Sequence, residues 1–209
     1  MRGMDGKVFN FIFMVEDQRD WQRRPGCVKN SFSCFFCHLL NVLVNNSIND
    51  YEIHDVTYGL GSFYEKCPKL NVNGVDIVKW DWLMPPRRFT QGDALQYLTQ
   101  LPQDGKERRI IVIDPPYPTH PSSKTKNKDI LYFNAKQWTR NYLLSVINQA
   151  KSKASMTILK YMTTDKDLET ELLQMSRHVV YWRFIRYAIP AHDGNKVIRN
   201  ATQIYIIHG

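Results

Sequence analysis

The run Ile110-Ile111-Val112-Ile113 leads into Asp114-Pro115-Pro116-Tyr117, which sets a carboxylate, two prolines and a phenol ring at four consecutive positions. The carboxylate and a proline carbonyl both accept hydrogen bonds, and the ring offers a stacking face. A planar base carrying an exocyclic amino group needs that combination, as in pockets that receive a base turned out of its stack. These residues point to chemistry at a base nitrogen; their other reading is a strand that ends in a proline turn. Four apolar residues in succession predict a strand buried on both faces, and two residues without an N–H must end it at Asp114. The carboxyl end of such a strand is where open α/β sheets bind ligands.

Acids recur at the ends of the neighbouring predicted strands. Residues 51–56 predict a strand followed by Gly59-Leu60-Gly61, where the chain turns sharply and lets backbone approach a ligand. Residues 73–78 and 88–93 predict two more, so Asp55, Asp76 and Asp93 reach the same edge as Asp114. Asp93 also fits the N-cap of a helix over 94–101.

The remaining pattern supplies the frame. Helices are predicted from Ser31 or Ser33 to about 45, from about 62, over 135–150 and over 166–177, with strands over 156–161, 178–189 and 200–208. The last two strands are separated by a turn at 192–196 and pair antiparallel. Residues 7–15 suggest a strand, but 16–30 are polar and rich in Arg and Trp, so 1–30 is taken as a lead-in segment and 31–209 as one catalytic domain. Strands alternating with helices and closing in a hairpin predict an α/β fold. Its sheet is mostly parallel and seven-stranded with one antiparallel strand, and helices cover both faces.

The glycine turn, the strand-end acids and Asp114-Pro115-Pro116-Tyr117, in this order, resemble the S-adenosylmethionine-dependent amino-methyltransferases. This is the DNA adenine-N6 and cytosine-N4 methyltransferase family of the Asp-Pro-Pro-Tyr type, in the arrangement whose cofactor motifs come first. The resemblance covers about residue 31 to the C-terminus and implies the Rossmann-like class I methyltransferase fold with S-adenosylmethionine as cofactor. It implies that Asp55, Thr57, Gly59 and Gly61 form the turn around the methionine moiety. By the same resemblance Asp76 bonds the ribose hydroxyls, Ile77 packs on the adenine ring and Asp93 accepts from the adenine amino group. Asp114, Pro115, Pro116 and Tyr117 are the implied catalytic residues, with no metal. Ser31 and Phe32 are candidates for the segment that closes over the methionine end. Asp at the first motif position, where relatives carry Ser or Asn, tilts the implied acceptor towards adenine N6 in DNA. An RNA amino-methyltransferase acting on guanine N2 or adenine N6, and a catalytically silent nucleic-acid-binding subunit, stand as alternatives. The glycine spacing does not fit a dinucleotide-binding dehydrogenase.

With 209 residues and a formal charge of +8, the chain favours an anionic partner, nucleic acid above all, with DNA preferred and RNA possible. Lys124, Lys126 and Lys128 follow the catalytic motif directly, and Arg23 and Arg24 with Arg19 and Trp21 make a second basic and aromatic patch. Such phosphate contacts give affinity without reading sequence, so target choice calls for a short site, a recognition partner or a second copy of the chain. The bland reading of both patches is solvated surface. No apolar run spans a bilayer and no secretory leader is visible, which predicts a cytoplasmic protein without a membrane. Cys34-Phe35-Phe36-Cys37-His38 has the spacing of a haem attachment site, and Cys27 and Cys67 would complete a zinc cluster. Because 32–44 reads as a packed helix, the four cysteines are expected to be structural, with no disulfide framework needed.

Overall fold

Strand β5 (Arg109–Ile113) is buried at every position, as an uninterrupted apolar run requires when both faces of a sheet are covered. The computed structural model describes residues 10–17, 31–116, 135–163, 165–187, 196–198 and 202–209. Tyr117, Lys124, Lys126, Lys128, Arg23 and Arg24 lie outside the described residues. The chain divides into two compact units, each built from three separate stretches.

One unit takes in 50–61, 71–159 and 207–209. Its strands β2 (Glu52–Asp55), β3 (Val72–Asp76), β4 (Arg88–Gln91), β5 and the start of β6 (Met156–Lys160) pair side by side in the order β6-β5-β2-β3-β4, all parallel. The registers Asp55↔Val112, Asp55↔Gly74 and Asp76↔Gln91 align the carboxyl ends of the four strands that precede the candidate acids. Helix α2 (Ala94–Gln100) is capped by Asp93, whose Oδ1 accepts the Gln96 N–H at 2.9 Å. Helix α3 (Arg140–Lys153) begins after Thr139, whose hydroxyl accepts the Tyr142 N–H at 3.3 Å. The helix expected from 135 therefore starts five residues late, with a 3-10 turn at Ala135–Gln137 before it, because the side-chain cap sits at Thr139. The Arg109 guanidinium is buried in this core and donates to the carbonyls of Pro102, Asp104 and Lys153 at 2.8–2.9 Å.

The other unit takes in 1–49, 62–70 and 160–206. Here β1 (Asn10–Asp17) pairs parallel with β7 (His178–Tyr187), while β8 (Lys196–Ile198) and β9 (Thr202–His208) pair with β7 antiparallel. The seven strands expected of the sheet are all present, the strand suggested over 7–15 appears as β1 at Asn10–Asp17, and β8 is additional. Helix α1 (Ser31–Leu43) buries Phe35, Phe36, Leu39 and Leu40, and Phe35 stacks on Trp182 with ring centroids 4.9 Å apart. Helix α4 (Lys166–Met175) is capped by Asp165 and buries Leu168 and Leu172.

Two expectations fail in this unit. The helix from about 62 is only a 3-10 turn, Ser62–Tyr64. Pro68 biases Cys67 away from helical backbone, and Ser33 takes over the hydrogen bonding, donating to the Phe63 carbonyl at 2.9 Å and accepting the Lys66 N–H at 2.9 Å. The described cysteines are structural and, against the expectation that no disulfides are needed, bonded: Cys37 is joined to Cys67, and Cys34 is in a disulfide too. A haem or zinc role for Cys37 is thereby closed. Among the described residues no helix is long and apolar enough to cross a membrane.

Candidate active site

The carboxyl ends of β2, β3, β4 and β5 are laced together by hydrogen bonds between the turns that leave them. Asp55, buried at the end of β2, accepts the Thr57 N–H at 3.0 Å and the Thr57 hydroxyl at 3.3 Å through Oδ1. That turn holds the Thr57 oxygen towards β5, where it accepts the Asp114 N–H at 2.6 Å. One side chain thus couples the turn after β2 to the first residue of the Asp-Pro-Pro segment. The backbone adds a second tie, from the Val56 N–H to the Val112 carbonyl at 3.0 Å. Asp114 and Pro116 are half-buried and Pro115 is buried.

Gly59 and Gly61 both occupy the left-handed region, with φ of 52° and 72°, which glycine alone enters freely. Their surroundings differ. A Cβ at Gly61 would run into the Met84 carbonyl oxygen and come within 2.8 Å of the Tyr58 hydroxyl, whereas one at Gly59 would find only the Thr57 carbonyl, 3.9 Å away. Gly61 is therefore needed for packing, and Gly59 leaves open space over the backbone. Tyr58 fills the gap beneath, lying over Gly74 and donating to the Met84 carbonyl at 2.7 Å. Burial, reinforced by the charge of Asp55, pushes its hydroxyl above the usual tyrosine range, which keeps it a donor.

The other two acids are also engaged. Asp76 accepts the Gly59 N–H through Oδ2 at 2.9 Å and the Val78 N–H through Oδ1 at 3.1 Å, and its carbonyl accepts the Gly92 N–H at 2.9 Å. It therefore braces the glycine turn and the start of the β4–α2 connection together. Each oxygen keeps acceptor capacity, since an ionised carboxylate has about four lone-pair sites. Ile77 is half-buried beside it, its carbonyl accepting from the Gln91 side chain at 3.0 Å. Asp93 combines the helix cap with a hydrogen bond from the Tyr142 hydroxyl to Oδ2 at 2.6 Å. Gly92, just before it, has nothing within 4 Å of where a Cβ would stand.

All of the predicted residues that are described thus gather on one sheet edge: Asp55, Thr57, Gly59, Gly61, Asp76, Ile77, Asp93, Asp114, Pro115 and Pro116. Their shape and polarity suit a ligand with hydroxyl, amino or cationic groups, and a row of carboxylates disfavours phosphate there. Sequence reasoning missed Tyr142, which reaches Asp93 from 49 positions away, and it did not see that Thr57 touches Asp114.

Similarity to solved structures identifies the architecture. A SAM-dependent methyltransferase from Agrobacterium tumefaciens superposes with a TM-score of 0.52 at 14% identity, over 84% of this chain and 61% of that one. A second, from Archaeoglobus fulgidus, gives 0.50 at 13% identity over 87% and 97% of the two chains. The fold is the Rossmann-like class I methyltransferase fold. No family model matches the sequence, and no curated protein matches it. The glycine turn, the strand-end acids and the Asp-Pro-Pro segment thus stand at the carboxyl edge of a methyltransferase-like sheet. That is the edge expected to receive ligand in an open parallel sheet.

Proposed function

We propose that this chain transfers a methyl group from S-adenosylmethionine to an exocyclic amino nitrogen of a nucleobase, with adenine N6 in DNA as first choice. The reading rests on one observation above the others, the 2.6 Å hydrogen bond from the Asp114 N–H to Thr57, which seats the catalytic motif against the glycine turn. The names of the two solved neighbours support the cofactor class, and the Asp-Pro-Pro-Tyr motif supports an amino acceptor.

The residues present fit that cofactor. Gly59 and Gly92 leave open backbone where a ligand can approach, and the acids offer acceptors to hydroxyl and amino groups. Asp76 would hold the ribose, Ile77 and Asp93 the adenine end, and the backbone around Gly59 the methionine end. When bound, the cofactor supplies an electrophilic methyl group on a positively charged sulfur. The chain's own task is alignment and electrostatics. A base amino group is a weak nucleophile because its lone pair is spread into the ring. The Asp114 carboxylate and the Pro115 carbonyl would accept its two hydrogens, favour the pyramidal nitrogen and direct the freed lone pair in line. The proline pair suits this task because the ring fixes φ at Pro115 and the following Pro116 restricts the ψ on which the direction of the Pro115 carbonyl depends. Tyr117 would stack on the base, and the basic residues at 23, 24, 124, 126 and 128 would hold phosphates.

The test is incubation with labelled cofactor and duplex DNA, single-stranded DNA or tRNA, followed by nucleoside analysis. N6-methyladenine from DNA is the expected product. Label appearing only in tRNA would move the acceptor to RNA, and no label in any polymer together with no heat on titrating the cofactor would overturn the reading. Asp114→Ala should abolish transfer while cofactor binding stays nearly intact; equal activity in the variant refutes the role given to the carboxylate.

A further inference from the structure

We propose that Tyr142 is a positioning residue for recognition of the cofactor's adenine amino group, acting by fixing the carboxylate of Asp93. This rests on the cofactor reading above and extends it to a residue outside its motifs.

The Asp93 carboxylate is held at two points by two different elements. Its Oδ1 accepts the Gln96 N–H at 2.9 Å within the first turn of α2, and its Oδ2 accepts the Tyr142 hydroxyl at 2.6 Å from α3. A carboxylate held through one oxygen alone still swings about its terminal torsion, for which the wells are broad. The second bond sets the plane of the group and so the direction of its remaining lone pairs. Tyr142 is itself fixed: Trp138 meets it edge to face, with ring centroids 5.0 Å apart and planes at 87°. Burial first, and then the hydrogen bond to Asp93, push its hydroxyl above the usual range, against a smaller opposing effect of the Leu95 backbone. The phenol therefore remains a donor throughout the working range of pH. The approach to Asp93 is open on the Gly92 side, where a Cβ would meet nothing within 4 Å.

An amino group arriving there donates to a lone pair whose direction Tyr142 has already set. The chemistry predicts a selective effect. A ligand with the amino group should feel the loss of the Tyr142 hydroxyl more than a ligand with a carbonyl in its place, which presents an acceptor at that position and keeps an N–H only at the neighbouring ring nitrogen.

Calorimetry on the full chain with S-adenosylhomocysteine and with its deaminated inosine counterpart separates the possibilities. In Tyr142→Phe the adenine ligand should bind about five- to tenfold more weakly, the size expected when a charge-assisted hydrogen bond is loosened but not removed. The inosine ligand should change by less than about twofold on the same scale. Asp93→Asn keeps a good helix cap, so it tests the same idea without loss of α2, and it should shrink the preference for adenine likewise. Equal losses for both ligands, or an unchanged adenine preference in either variant, overturn the inference. Failure of the unmodified chain to bind S-adenosylhomocysteine at all would instead overturn the cofactor reading beneath it.

Discussion

Replacing Thr57 by Val removes one hydroxyl that serves two acids. The oxygen accepts the Asp114 N–H at 2.6 Å and donates to Asp55 at 3.3 Å. In the variant Asp55 keeps its bond from the residue 57 N–H, and the short bond from the Asp114 N–H to the Thr57 oxygen is lost. An unmade bond at a buried donor costs about 1–3 kcal/mol, and because Thr57 and Asp114 are only half-buried the lower part of that range, about 1–2 kcal/mol, applies. For a chain of 209 residues, each kcal/mol moves the thermal midpoint by about 2–4 °C, so a drop of about 2–8 °C is expected. Activity should suffer more than stability. The lost bond is a side-chain tie between the glycine turn and the motif proposed to be catalytic, and a misplacement of about 1 Å at reacting groups can cost on the order of a hundredfold. We expect methyl transfer to fall by about ten- to a hundredfold in kcat, with a smaller change in cofactor affinity. The assay is transfer of labelled methyl to the best polymer, run beside thermal denaturation. Thr57→Ser, which keeps the oxygen, should recover most of the loss in both. A Val variant with unaltered kcat would show that the link to Asp114 does not align the reacting groups.

The two glycines of the turn should respond differently to alanine. Gly61→Ala should lower the thermal midpoint markedly, because the new methyl collides with the Met84 carbonyl and the Tyr58 ring. Gly59→Ala should cost only the left-handed strain, about 1–2 kcal/mol, yet weaken cofactor binding; equal midpoints for the two variants would contradict the contrast. The buried His54, linked through Nδ1 to the hydroxyl of the half-buried Tyr97 at 2.6 Å, should make the fold acid-sensitive. Burial lowers the His54 pKa below its ordinary 6.5 despite Glu52 at 3.1 Å, a contact poorly aligned with the ring N–H, while burial and then the charge of Glu52 push Tyr97 up to about 12. The unfolded chain then binds the proton more readily, so stability is full above pH 6.5 and declines as pH falls through the folded-state value. Midpoints measured from about pH 7.5 to 5 should show that slope, and His54→Gln should flatten it; an unchanged slope assigns acid sensitivity to other groups. Reducing the Cys37–Cys67 bond, which closes a separation of 30 residues, should remove about 3–4 kcal/mol of stability on the chain-entropy model. A midpoint indifferent to reductant would refute this.

The parts of the fold that rest on local pattern were legible in the sequence. The apolar run before Asp114 could be little else than a buried strand, and the residue types at 59, 61, 76 and 93 put the turn and the acids where strands end. Asp93 showed both of its possible roles, and the cap is the one now visible. Less local relations were hidden. The helix expected after Gly61 gave way because Pro68, Ser33 and the bond to Cys67 all act against it, and two of those partners are distant in sequence. The pairing of Cys37 with Cys67 has no signature in spacing. Tyr142 looked like one more aromatic residue on an amphipathic helix, and only the packing of α3 against α2 brings it to Asp93. The strand at 10–17 was suggested over 7–15, but the polar stretch after it led to 1–30 being taken as a lead-in, and its pairing with β7 was not foreseen.

The division of the chain carries a consequence for its ancestry and for engineering. Each compact unit draws on three stretches, and the 62–70 excursion interrupts the crossover between β2 and β3. No uninterrupted piece of the gene encodes either unit, so neither can be exchanged as a cassette or expressed by trimming one end. An exchange that preserved both units would have to replace several stretches at once.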